Sequence, residues 1–131
     1  MTKPQFVVDT NVFLRFLLKD VLSQYKKAER LFREAKSGKI ELIVPQIVIF
    51  EIAFALEKYY EFGKKEVIAN LQTIIATVYL KIQDREIFAQ ALKLYSVGNL
   101  SLTDCFLVSY VKTTITTLFS FDKRLLKLIK K

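Results

Sequence analysis

The sequence predicts an α/β protein: a three-layer α/β/α sandwich around a central parallel sheet of four strands. Three observations carry this. Short β-branched or apolar runs alternate with longer helical patterns from one end of the chain to the other. The chain has 131 residues, 52% of them hydrophobic, enough for one domain with a real core. It has only 3 Gly and 2 Pro, so no flexible linker or repeat interrupts it. Strands separated by helices pair in parallel, with helices on both faces.

The elements follow in order. Residues 5–8, "QFVV", read as a strand buried on both faces. Asp9, Thr10 or Asn11 then caps a helix that runs to about Leu18. Ser23 caps a second helix, "QYKKAERLFREAK", which Ser37-Gly38 ends. "IELIV" (40–44) is the second strand, and Pro45 opens a long helix through about Tyr60. Gly63 breaks it, and residues 64–76 form another helix. "TVYLKI" (77–82) is the third strand. Asp84 caps the helix "REIFAQALKLYS", and Gly98-Asn99 stops it. Ser101 starts a helix to about Lys112; "TITTLFSF" (114–121) is the fourth strand; "DKRLLKLIKK" closes the chain as a helix.

Composition excludes several functions. With no histidine, Ser-His and Cys-His nucleophile pairs are impossible, and zinc sites are disfavoured. The single cysteine, Cys105, excludes an internal disulfide and suits a reducing compartment. The most apolar stretch, residues 42–56, carries Pro45, Gln46 and Glu51, so no membrane span is expected. The N-terminus "MTKPQFVV" lacks the long apolar region of a signal peptide, and the cytoplasm is the expected location. No Gly-rich phosphate loop follows the first strand, which disfavours dinucleotide and P-loop sites. The net charge of +8 favours an anionic partner, nucleic acid first. "KRLLKLIKK" (123–131) holds five basic residues and no acid.

Acid–base or metal chemistry therefore falls to Asp and Glu. In an open parallel sheet, ligands bind beyond the carboxyl ends of the strands. The predicted elements place four acids there: Asp9 after the first strand, Glu51 in the helix after the second, Asp104 in a helix's first turn and Asp122 after the fourth strand. Each of Asp9, Asp104 and Asp122 alone also reads as a helix cap. Glu51 is different, because its helical neighbours Ile47, Val48, Phe54 and Ala55 are all apolar. That pattern predicts a carboxylate in a buried face, neutral, salt-bridged or metal-bound. Carboxylate oxygens without His or thiolate select a hard ion, Mg²⁺ or Mn²⁺, and such an edge on a basic protein suits phosphodiester hydrolysis.

Four segments extend this reading: "VVDTNVFLRFLL", "VPQIVIFEIAFAL", "LSLTDCFLVSYV" and "LFSFDKRL". Together, and in this order, they resemble the PIN-domain family, specifically the VapC-type toxin ribonucleases of toxin–antitoxin pairs. The resemblance covers essentially the whole chain. It implies a Mg²⁺- or Mn²⁺-dependent endoribonuclease with Asp9, Glu51, Asp104 and Asp122 as its acids. Thr10, Asn11 and Ser120 would support them, although capping and turn hydrogen bonds account for these three equally well. It also implies an RNA substrate, a homodimer and a VapB-like antitoxin. Cys105 stands where the family more often has Ala. Many relatives have a fifth short strand, left open here because the chain runs only nine residues past Asp122.

Other readings stay in play: a PIN-domain nuclease of RNA processing without an antitoxin, and a non-catalytic nucleic-acid-binding module. A phosphatase-like enzyme using Asp9 as nucleophile is disfavoured, because "DTN" lacks an Asp-x-Asp pattern. Arg15 reads as a phosphate contact or as an exposed helix residue.

Overall fold

The computed structural model describes residues 2–130, which fall into two compact units divided after Gln83. The end of the closing helix at Lys131 lies outside the described residues.

The first unit is built on β1 (Gln5–Val7), β2 (Glu41–Val44) and β3 (Leu80–Ile82), all parallel, in the order β1-β2-β3. Phe6 lies opposite Leu42, and Leu42 opposite Leu80. The connections are helical: α1 (Thr10–Leu18) and α2 (Leu22–Lys36) join β1 to β2, and α3 (Gln46–Lys58) and α4 (Lys64–Ala76) join β2 to β3. Leu42 and Val44 of the central strand are wholly buried.

β1 departs from expectation. It is the edge strand, and Phe6 and Val7 are 46% and 67% exposed, so it is not buried on both faces. Val8, one residue beyond, is buried instead. On the sheet, Glu41 Oε2 accepts hydrogen bonds from the Gln5 amide at 2.7 Å and the Lys81 ammonium at 2.8 Å. Side chains thereby tie the three strands together across the ladder.

α1 and α2 form a hairpin closed by Lys19, whose left-handed backbone (φ 53) lets its N–H reach the Arg15 carbonyl at 3.1 Å. Phe13, Phe16, Tyr25 and Phe32 pack between the two helices with ring centroids 4.9–5.6 Å apart. α2 begins one residue before Ser23, with Val21 at its N-cap, so Ser23 does not cap it. Pro45 is the N-cap of α3, and Gly63 that of α4.

The second unit holds α5 (Arg85–Val97), α6 (Leu102–Thr114) and α7 (Lys123–Lys130). α5 packs on α6 through Phe88 and Phe106, 4.8 Å apart, with Ala91, Leu92, Cys105 and Val108 buried around them. Cys105 is buried and in no disulfide, a small side chain within this packing.

The expected fourth strand, 114–121, is not formed, and among the described residues the sheet has three strands rather than four or five. α6 runs on to Thr114, and Ile115 then takes a left-handed conformation (φ 55) that ends the helix. Ile115, Phe119 and Phe121 are each at least 87% exposed. β-branched and aromatic residues favour a strand only when a neighbouring strand and a packed face receive them; here the segment has neither. The third strand is likewise shorter than 77–82, because Thr77 caps α4 and its carbonyl accepts the Leu80 N–H in a turn.

Candidate active site

In the first unit, two of the expected acids follow strand ends. Asp9 lies two residues past β1 and is the N-cap of α1. Its Oδ1 accepts the Val12 N–H at 3.2 Å, which satisfies one of the donors a helix start leaves unpaired. Its other carboxylate oxygen accepts no hydrogen bond among the described residues. Thr10 and Asn11 form the first turn of α1, with Asn11 exposed.

Glu51 lies in the second turn of α3, and here the structure corrects the sequence reading. Glu51 is exposed, and so are Ile47 (64%) and Phe54 (54%), four residues before it and three after. Val48 and Ala55, on its other side, are buried. The carboxylate therefore stands on an outward, partly apolar stripe rather than inside a buried face. Among the described residues it has no cationic partner, so the salt-bridge explanation does not apply.

In the second unit, Asp104 occupies the first turn of α6, half-buried. Its backbone N–H donates to Ser101 Oγ at 3.1 Å, so Ser101 is the cap and the Asp104 carboxylate is left without a protein hydrogen bond among the described residues. Asp122 precedes α7; with no fourth strand, a turn places it instead. Ser120 Oγ accepts the Asp122 N–H at 3.0 Å, and Asp122 Oδ1 accepts the Arg124 N–H at 2.9 Å. That backbone hydrogen bond, helped by the Arg124 side chain at 3.6 Å, holds the Asp122 carboxyl below its ordinary value.

Each unit thus contributes two of the four acids. Among the described residues, no group of three or more Asp, Glu or Cys side chains is gathered tightly enough to hold a metal ion. The donor chemistry suits a hard divalent ion nonetheless, since the carboxylate oxygens of Glu51 and Asp104 are uncommitted and the chain offers no His or exposed thiol.

A model of the PIN domain matches residues 6–131. The chain belongs to the PIN-domain family. It is also similar to a VapC ribonuclease of Aquifex aeolicus (strain VF5), 28% identical over 123 residues, which cover 93% of this chain and 90% of that protein. The resemblance seen in the four motifs is therefore to a family the chain does belong to, and to its VapC-type members in particular. No helix among the described residues is long and apolar enough to cross a membrane.

Within this PIN-family chain, the structure adds residues that sequence reasoning missed. The Gln83 side-chain oxygen accepts the Gln46 N–H at 3.0 Å, capping α3 from beyond the end of β3. Arg15 donates to the Tyr60 hydroxyl at 2.7 Å and pairs with Asp20 at 3.1 Å, so it is a braced, mostly buried cation rather than an exposed helix residue. Gln24 and Lys27 of α2 line a cleft with Asp9, Asn11 and Arg15. Arg15 was already a candidate phosphate contact by sequence; the others had no sequence signal, because each depends on which elements pack beside one another.

Proposed function

We propose that this PIN-family protein is a Mg²⁺- or Mn²⁺-dependent endoribonuclease, the toxin of a VapBC-type toxin–antitoxin pair. The observation that carries the reading is the PIN match over residues 6–131, in a chain with four acid-bearing segments that resemble the family's motifs. Similarity to a protein named VapC ribonuclease supports RNA as the substrate. The net charge of +8 supports a polyanionic one independently.

In this reading Asp9, Glu51, Asp104 and Asp122 hold the ion, directly or through water. A hard divalent ion, when bound, lowers the pKa of a water and offsets charge that develops on the phosphate. The chain's own part is to present ionised carboxylates in fixed positions. Asp9 is fixed by its cap bond to Val12, and Asp122 by its bond to the Arg124 N–H, which also favours its charged form. Ser120 fixes the turn that carries Asp122. Thr10 and Asn11 stand in the first turn of α1, next to Asp9, where they orient ligands or water. A homodimer, an antitoxin that covers the acids and a cytoplasmic location complete the proposal.

The test is cleavage of a mixed-sequence RNA by purified protein, with and without Mg²⁺ or Mn²⁺. Wild type cuts only with the ion, and Asp9→Asn falls to background. Metal-independent cutting, or equal cutting by Asp9→Asn, rejects the proposal.

A further inference from the structure

Beside Asp9, the α1–α2 hairpin borders an open cleft of about 460 Å³, within the volume range of small-ligand sites. Its polar lining is one acid, two amides and two cations: Asp9, Asn11, Gln24, Arg15 and Lys27. The cations differ in kind. Arg15 has a side chain only 18% exposed and is held in place by Asp20 and the Tyr60 hydroxyl. Its Nε is buried and has no hydrogen-bond partner among the described residues. A guanidinium braced in this way is already desolvated and ordered, so binding an anion costs it little further entropy. Lys27 is exposed and has no ion-pair partner among the described residues. Asp9 and Asp20 balance Arg15 and Lys27 in formal charge, so the exposed, unpaired Lys27 ammonium is the cation left to meet an anion.

We propose that this cleft is a phosphate subsite. It seats the RNA backbone beside the bond addressed at Asp9, with Arg15 and Lys27 as positioning residues. The inference rests on the ribonuclease reading, which places Asp9 at the reaction centre. The fixed positive charge of Arg15 and the exposed Lys27 ammonium suit the anionic oxygens of a phosphodiester, and neither reads base sequence. The subsite therefore contributes affinity and register on any RNA.

The experiment measures binding of a labelled mixed-sequence single-stranded RNA in EDTA, as a function of salt, to wild type, Lys27→Ala and Arg15→Gln. Lys27 is exposed and unpaired, so its removal leaves the fold intact even if Arg15→Gln disturbs it. Loss of one phosphate contact makes the slope of log K against log salt shallower by about 0.7. We expect that change in each variant, equal across RNA sequences, and with metal present a loss that falls on KM. A wild-type slope and KM in both variants, while wild type still cleaves RNA, overturns the subsite and leaves the nuclease reading standing. A loss confined to one RNA sequence overturns it too, since that is base readout. So does a wild-type RNA slope in variants that lose binding to polyglutamate, which would make the cleft an acidic-peptide site. Wild type that neither binds nor cleaves RNA overturns both readings.

Discussion

At Asp9 the cap and the proposed chemistry use different properties of one side chain. Capping α1 needs only an acceptor oxygen for the Val12 N–H, which Asn supplies as well as Asp. Holding a divalent ion needs the charge. Asp9→Asn should therefore unfold at the wild-type temperature, whereas Asp9→Ala loses the cap and about 1 kcal/mol of stability. Thermal unfolding of the three proteins checks this, and a destabilised Asp9→Asn contradicts it. Residues of this kind were legible, because a cap is decided by a few neighbours in sequence. Ser101 caps as expected, Asp9 is the one of three candidates that caps α1, and Ser37-Gly38 ends α2 with Gly38 at φ 85, whereas Ser23 fails to cap α2. Glu51 was not legible in the same way. α3 is apolar nearly all round, so apolar residues three and four positions away do not say which side faces out. Packing decided it, leaving Ile47, Glu51 and Phe54 outward.

At the scale of elements, the helices were readable and the strands were only partly so. The residue range 64–76 matches α4 as expected, since Gly63 marks its start and its apolar period marks its face. The segment 114–121 looked like a strand by composition, but a strand needs a partner ladder that no local pattern supplies. β1 was read correctly in place but not in burial, because edge position is a property of the sheet. The ladder that does form has a measurable consequence. The Lys81 ammonium, then the Gln5 amide, hold the Glu41 carboxyl below its ordinary value of 4.5. The folded state thus prefers ionised Glu41. The stability this adds is complete above that ordinary value and is lost as pH falls through the lower folded value. Glu41→Gln removes the contribution, so from about pH 5 downward its stability should fall less steeply than that of wild type. Urea midpoints measured through the acid range check this, and parallel curves contradict it.

At the scale of the whole molecule, family and charge were legible because they are carried by motif order and by composition. The match over residues 6–131 agrees with the four motifs, and the +8 charge suits the polyanionic substrate proposed for it. The α1–α2 cleft was illegible, because Arg15 and Lys27 are brought together by helix packing and not by spacing. The central claim is that Asp9, Glu51, Asp104 and Asp122 act on one kind of ion. Calorimetric titration of Mn²⁺ into wild type and into Asp9→Asn, Glu51→Gln, Asp104→Asn and Asp122→Asn tests it most directly. The account predicts saturable uptake by wild type, weakened at least about tenfold in every variant. Uptake by all four variants equal to that of wild type, or no uptake by wild type, would contradict it.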